Sequence, residues 1–124
     1  MVRLTWRMQN YKRLKVWLKA HALLLNTHRA TRRFPRRYLK LYGQIIGAAE
    51  SIPTNIVEGC GRVSQKEFAN YLQTSFSSSN ELEYHLRVAH DFELVDGRTW
   101  CSLTADTIEV RMMLAGLIKT VRGG

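Results

Sequence analysis

Apolar residues recur at intervals of three and four along most of this chain, which is the spacing of one face of an α-helix. The first such segment runs from about Tyr11 to Thr31. Phe34-Pro35 follows it and predicts its end, because the residue before a proline is pushed out of the helical region. The predicted core-facing stripe of this helix comprises Leu14, Trp17, Leu18, His21, Leu24, Leu25 and His28.

A second periodic segment runs from about Tyr38 to Gly59, with Pro53 inside it. Because proline lacks the backbone donor and crowds the carbonyl four residues back, we expect a kink there. The alternative is two shorter helices that meet at Ser51-Ile52-Pro53. Gly59 and Gly61 are expected to end the helix. Its inward stripe is predicted to comprise Ile45, Ala48 or Ala49, Ile52 and Ile56.

Ser64 and Glu67 have the spacing of a capping box and therefore predict the start of the third helix. It is predicted to continue to about His90. Four-three spacing over this stretch is typical of the seam of a helix bundle, here with two serines at its middle. The predicted seam comprises Phe68, Leu72, Ser75, Ser79, Leu82, Leu86 and Ala89.

The fourth helix is predicted to follow a cap at Asp96 or Thr99 and to end near Val121. Its seam is predicted to comprise Leu103, Thr107, Val110, Leu114, Leu117 and Val121. Four helices of about 20 residues, each roughly 30 Å long, with short loops predict an all-α, antiparallel up-and-down four-helix bundle with a kinked second helix. We expect one domain over residues 11–124, preceded by a flexible segment over residues 1–10.

The length and composition of the chain exclude several classes of protein. A chain of 124 residues suits one compact domain. No run of about 18 uncharged apolar residues is present, so we expect no membrane-spanning helix, and the first residues lack the apolar block of a signal peptide. Cys60 and Cys101 are too few for a disulfide scaffold and fit no zinc spacing. Cys60 is interpreted as a small buried hydrophobe rather than an exposed thiol, and a cytoplasmic setting is expected.

The positive charge is concentrated at the start of the chain. The formal net charge is +9, no acidic residue precedes Glu50, and twelve of the 19 basic residues lie in the first 49 positions. The remaining residues carry seven basic and ten acidic groups, a net charge of −3. One-sided positive charge of this size raises the local concentration of polyanions.

Catalytic and metal-binding patterns are absent from the sequence. His21 and His28 are seven positions apart, whereas paired histidine ligands on one helix usually lie three or four apart. We therefore interpret them as half-buried packing residues. No nucleophile elbow, phosphate-binding glycine loop or zinc-protease motif occurs, and the packed seams are expected to leave no room for a ligand pocket. The sequence favours a protein without catalytic activity, cofactor or metal.

The basic residues form the candidate binding site. Tyr38 and Tyr42 stand beside them, and arginine predominates, whose guanidinium group suits bidentate contacts with phosphate and stacking on bases. A merely solvated face is the alternative, although such faces usually contain interspersed acids. A membrane-surface role is disfavoured because the bundle needs the apolar face of the first helix. The predicted nucleic-acid-binding residues are Lys12, Arg13, Lys15, Lys19, Arg29, Arg32, Arg33, Arg36, Arg37 and Lys40.

Several strings in the chain resemble one family. The segments 11–17 (YKRLKVW), 51–59 (SIPTNIVEG) and 64–68 (SQKEF), with Phe34-Pro35 and with Ser78 before Glu81-Leu82-Glu83, are similar to motifs of the four-helix bundle proteins encoded in intervening sequences of bacterial 23S ribosomal RNA. The resemblance extends from residue 11 to about residue 121. Arg36 and Arg37 depart from the family pattern, in which acids commonly follow the Phe-Pro break.

The resemblance implies a homopentameric ring or barrel with a basic surface and no known catalytic activity. A branch similar in fold is the accessory variability determinant of diversity-generating retroelements, which binds nucleic acid and a reverse transcriptase. The resemblance therefore leaves two RNA- or DNA-binding roles as alternatives. The protein is expected either to associate with ribosomal RNA or to assist a reverse transcriptase. The alternative is a scaffold for an acidic protein partner. Ile46 and Met112-Met113 are candidates for apolar surface that a partner subunit would cover, whereas Asn55 and Glu58 are expected to be structural.

Overall fold

The structure, a computed structural model, describes residues 10–123. Helix α1 packs on α2 and α4, and α3 also packs on α2 and α4, which together with the short connections makes an antiparallel up-and-down four-helix bundle. No strand occurs in the described part of the chain, so the predicted all-α fold is confirmed. The four helices are α1 (Lys15–Thr31), α2 (Leu39–Cys60), α3 (Gln65–Asp91) and α4 (Gly97–Gly123).

Two short 3-10 helices, Tyr11–Arg13 and Arg36–Tyr38, precede α1 and α2. The first α-helix thus begins at Lys15 instead of about Tyr11, because the preceding turn has 3-10 geometry. Of the segment 1–10 that was predicted to be flexible, all but Asn10 lies outside the described residues. Over residues 10–123, no helix combines the length and apolar character that crossing a membrane requires.

The core-facing stripe of α1 differs from the predicted one. Leu18 and Leu25 are 52% and 41% exposed, and His21 and His28 are exposed as well. The helix carries large apolar residues on two faces, and the periodicity rule selected the face with more leucines. The face that packs into the bundle is rich in small and β-branched residues, and its buried members are Val16, Ala20, Leu23, Thr27 and Thr31.

Helix α2 is continuous through Pro53, so the alternative of two shorter helices is wrong. Pro53 is buried, and the hydroxyl of Ser75 on α3 donates a 2.8 Å hydrogen bond to the carbonyl of Ile52 just before it. This bond ties the two helices at the point where proline removes a backbone donor. The predicted inward stripe of α2 is confirmed, because Ile45, Ala48, Ala49, Ile52 and Ile56 are all buried. The kink stays a prediction.

Polar side chains of α2 and α3 form hydrogen bonds around Pro53. The Asn55 side-chain amide donates to the Ser51 carbonyl at 2.8 Å and to the Ser51 hydroxyl at 3.0 Å. The Ser51 hydroxyl also lies 2.7 Å from that of Ser78 on α3. Glu58 pairs with Arg62 one turn later at 3.3 Å. The bonds of Asn55 and Ser51 are partly buried between α2 and α3, whereas the Glu58–Arg62 pair is exposed on the surface.

Gly59 serves the packing of α2 against α3 and does not end the helix. A Cβ at this position would lie 2.9 Å from Cδ1 of Phe68 and 3.0 Å from Cβ of Tyr71. The helix ends one residue later, at Cys60, with Gly61 as its C-cap. Cys60 is 2% exposed and burial raises the pKa of its thiol to about 11, which confirms it as a buried residue.

The capping box predicted for α3 is present in part, and one of the two cap residues predicted for α4 is confirmed. The hydroxyl of Ser64 accepts the backbone N–H of Glu67 at 3.1 Å, and Asp96, not Thr99, caps α4 by accepting the backbone N–H of Thr99 at 2.7 Å. This bond lowers the pKa of the Asp96 carboxyl. The whole predicted seam of α3 is buried. In α4, Ile118 takes the buried position predicted for Leu117, which is only partly buried.

Candidate nucleic-acid interface

All ten predicted basic residues are exposed, and the structure divides them into two groups near opposite ends of α1. We call the first group the helix-start cluster, which comprises Lys12, Arg13, Lys15 and Lys19. We call the second the turn cluster, which comprises Arg29, Arg32, Arg33, Arg36, Arg37 and Lys40. Lys19 and Arg29 are ten residues apart, or about 15 Å along the helix axis, and no lysine or arginine lies between them.

The turn cluster is compact because the chain reverses direction within it. Helix α1 ends at Thr31, and the N–H of Arg32 still donates to the carbonyl of His28 at 2.9 Å. Pro35 then starts the 3-10 turn whose first two residues are Arg36 and Arg37. A tight reversal with basic residues before, inside and after it brings their side chains to one end of the bundle.

The connection between α3 and α4 lies at this same end. The rings of Tyr38 and Phe92 are 5.9 Å apart, so the residue after α3 touches the residue before α2. The guanidinium of Arg37 lies over the Tyr38 ring at 5.0 Å, a cation–π contact that orients it. Tyr38 and Tyr42 are half-buried.

Three carboxylates of the later chain share this end of the bundle, namely Asp91, Glu93 and Asp96. Asp91 pairs with Arg87 at 3.4 Å, and Asp96 caps α4. Across residues 10–123, no ion pair joins a carboxylate to a member of the turn cluster. Its positive charges are therefore available to an external anion.

The helix-start cluster is partly engaged within the protein. Lys19 forms an ion pair with Glu109 of α4 at 3.2 Å, with about half of each side chain exposed. Lys15 and Lys19 also border a groove of about 510 Å³ between α1 and α4, whose other lining residues are Leu18, Ala22, Glu109 and Met113. The turn cluster is thus the stronger candidate for binding phosphates.

The sequence interpretation missed most of the exposed apolar residues of α1 and α4. These are Leu18 and Leu25 on α1 and Ile108 and Met112 on α4, and Met112 is 67% exposed. Of the residues proposed for such a surface, Met112 fits, whereas Met113 and Ile46 are half-buried. The signal was present in the sequence, because Leu18, Ala22 and Leu25 keep the four-three spacing on the side of α1 opposite Val16 and Leu23.

Within residues 10–123, no group of three or more histidine, cysteine or acidic residues is placed to hold a metal ion. His21 stacks on Trp17 with ring centroids 5.0 Å apart, but both histidines of α1 are exposed, so the predicted half-buried packing is wrong. Two grooves that are open to solvent, of about 300 Å³ between α3 and α4 and about 510 Å³ between α1 and α4, are lined by exposed and half-buried residues and by none of the buried core.

The sequence profile of the 23S rRNA-intervening sequence protein family matches residues 12–116, which is most of the chain. No curated protein matches in a sequence search.

Proposed function

The chain belongs to the 23S rRNA-intervening sequence protein family, and on that premise we propose that it is a non-enzymatic oligomer in the cytoplasm that binds RNA or DNA through phosphates. The observation that carries this proposal is the turn cluster. Six exposed cationic side chains lie at one end of the bundle, and none has a carboxylate partner among residues 10–123.

The chemistry of the turn cluster favours phosphate over other anions. All of its members except Lys40 are arginines, whose planar guanidinium groups donate two parallel hydrogen bonds to one phosphate. Each phosphate contact releases condensed counterions from the nucleic acid. If all six groups were engaged, the slope of log affinity against log salt would be about −5 on duplex DNA and shallower on single strands.

Phosphate binding by the turn cluster fits two biological roles. In one, the protein accompanies the ribosomal RNA whose intervening sequence gives the family its name. In the other, suggested by the resemblance to the accessory variability determinant, it supports a reverse transcriptase during the copying of an RNA template. The alternative to both roles is a scaffold that binds an acidic protein. A competition experiment between RNA and polyglutamate tests this alternative, because a scaffold for acidic proteins should prefer polyglutamate at the turn cluster.

The exposed apolar residues of α1 and α4 support the oligomeric part of the proposal. Leu18 and Leu25 are exposed on α1, and Ile108 and Met112 are exposed on α4. Exposed apolar residues that cluster mark protein–protein contacts. A ring of subunits, a pentamer by resemblance, would cover such residues and repeat the turn cluster. Repetition on one particle converts weak phosphate contacts into avid binding. Light scattering measures the number of subunits.

The decisive experiment compares two variants of equal charge. Replacing Arg33, Arg36 and Arg37 by Ser removes half of the turn cluster, and the salt slope for duplex DNA should become shallower by about 2.7. The matched control replaces Lys66, Lys119 and Arg122, three exposed basic residues near the opposite end of the bundle, by Ser. Titrations of labelled RNA and DNA at several salt concentrations measure both slopes.

The control variant should keep a nearly normal slope, and circular dichroism should show full helicity for both variants. Equal losses in the two variants would mean that binding follows net charge, which contradicts the turn cluster as the site. Wild-type protein that binds neither RNA nor DNA at low salt would overturn the proposed function itself.

A further inference from the structure

A polar and aromatic cavity of about 300 Å³ lies between α3 and α4, away from the turn cluster's own residues. Its α3 wall consists of residues spaced three and four apart, so they share one face of that helix. Its α4 wall consists of two residues one turn apart. The lining residues are Asn80, Glu83, Tyr84, Arg87, Trp100 and Thr104. A volume of this size, at the lower end for small-molecule sites, suits one small ring system.

The acceptors of the α3 wall are already engaged inside the protein. Arg111 of α4 donates to the side-chain carbonyl of Asn80 at 3.0 Å and forms a close ion pair with the Glu83 carboxylate. The side-chain amide of Asn80 therefore keeps its two N–H donors for another partner.

The donors of the α4 wall lack partners. The indole N–H of Trp100 and the hydroxyl of Thr104 are enclosed, and neither has a hydrogen-bond partner among the described residues. Buried polar groups are nearly always bonded, and each exception calls for an explanation. These two groups lie one turn apart on α4, in residues that line one cavity, and the side chains around them shield both atoms from the open space. An occupant of the cavity would hydrogen-bond to them once those side chains move aside.

Arg87 adds a cation to this set of donors. Its guanidinium lies 5.9 Å from the centre of the Trp100 indole, and the His90 ring stacks on the same indole at 4.2 Å, nearly parallel. The lining therefore combines aromatic surfaces with several hydrogen-bond donors and few unengaged acceptors. A planar ring rich in acceptor atoms, attached to a phosphate, complements such a lining.

We propose that this cavity binds an unpaired nucleobase of single-stranded nucleic acid, with Trp100 and Thr104 contacting the edge of the base. Single-stranded nucleic acids are held by aromatic side chains and by hydrogen bonds to base edges that a duplex hides. The inference rests on the proposed function, because it adds a strand preference to the phosphate binding of the turn cluster.

The position of the cavity fits this role. Arg87 and Trp100 lie at the ends of α3 and α4 that flank the connection containing Phe92, whose ring contacts Tyr38 beside the turn cluster. A strand bound by its phosphates at the turn cluster can thus pass the mouth of the cavity. Tyr84 is 65% exposed and the Arg87 side chain 63% exposed, so both can move aside without unpacking the core.

The first test observes the Trp100 indole N–H directly in the full-length protein by NMR. Its signal is assigned by its loss in Trp100→Phe. Nucleoside monophosphates should shift this signal, whereas ribose 5-phosphate, which carries the phosphate without a base, should not. Equal shifts from both probes, or none from either, would overturn the base pocket.

The second test measures the affinity for a short single-stranded RNA and for the duplex of the same sequence. Thr104→Val removes one unpartnered polar group and keeps the shape of the side chain, whereas Trp100→Phe removes the indole N–H together with one of the two rings. Each should weaken single-strand binding about tenfold, the value of one hydrogen bond to a ligand, and leave duplex binding unchanged. The matched control is Thr120→Val, since this exposed hydroxyl on α4 donates to the carbonyl of Gly116 and does not line the cavity.

These experiments distinguish a failure of the base pocket from a failure of the turn cluster. If the cavity variants bind single strands normally while the turn-cluster variant loses its salt slope, the base pocket is wrong and the proposed function stands. If nucleoside monophosphates shift Trp100 but the turn-cluster variant binds RNA and DNA like wild type, the base pocket stands and the turn cluster is wrong.

Discussion

The α2–α3 pair and helix α1 show how differently amphipathic helices can use their apolar residues. In α3, every residue of the predicted seam is buried, and Gly59 of α2 allows the Phe68 ring to approach within close contact. In α1, by contrast, Leu18 is 52% exposed while Ala20 is 1% exposed. A regular apolar stripe indicates the buried face when the opposite face is polar. A helix with leucines on two faces leaves that choice to its neighbours.

The largest expected effect comes from a matched pair of leucines across these two regions. Leu72 of α3 is fully buried, so Leu72→Ala should lower the free energy of unfolding by about 2–5 kcal/mol through lost burial and the cavity left behind. Leu18→Ala on α1 should change it by less than about 0.5 kcal/mol. Urea denaturation at low protein concentration, where subunit association is weakest, measures both. Similar losses would mean that the outward face of α1 is packed within the monomer.

A second pair of variants tests the close approach of α2 and α3. Gly59→Ala places a methyl group 2.9 Å from the Phe68 ring and should destabilise the protein by about 1–3 kcal/mol. Gly47→Ala, in the same helix but with nothing within 4 Å of the new Cβ, should stabilise it by roughly 0.5–1 kcal/mol. Thermal unfolding of both variants gives the comparison, and a stabilised Gly59→Ala variant would refute the tight contact.

A smaller effect concerns pH at the end of α2. Burial raises the pKa of the Cys60 thiol from 9.0 to about 11, so its contribution to stability is complete below pH 9. It is lost as the pH rises from about 9 through 11, because the unfolded chain releases the thiol proton first. Cys60→Ala should remove this part of the pH dependence. Denaturation of both proteins between pH 8 and 11 checks the prediction, and parallel curves would contradict it.

The candidate site was predictable in part, for a local reason. Residues 29–40 contain six basic residues around one chain reversal, and a reversal keeps neighbours in sequence close in space. The cluster therefore followed from the sequence once Phe34-Pro35 was interpreted as a helix end. The helix-start cluster was different, because its separation from the turn cluster and the pairing of Lys19 with Glu109 depend on helix length and on the position of α4.

The cavity between α3 and α4 could not be predicted in the same way. Asn80 and Thr104 are distant in sequence, and neither belongs to a recognisable motif. Their proximity arises when antiparallel helices align in one register, and Arg111 then engages Asn80 and Glu83 across the interface. The lack of partners for Trp100 and Thr104 is likewise a property of the packed structure.

The sequence by itself determined the four helices, the N-terminal caps of α3 and α4, the buried seam of α3 and the concentration of positive charge at one chain reversal. These features depend on the hydrophobic periodicity and on interactions between residues that are close together in the sequence. The tertiary structure alone decided which face of α1 is buried, that Ile118 replaces Leu117 in the core, and which polar groups meet between α3 and α4. Such choices depend on how helices rotate and slide against one another, and that is set by the packing of all four together.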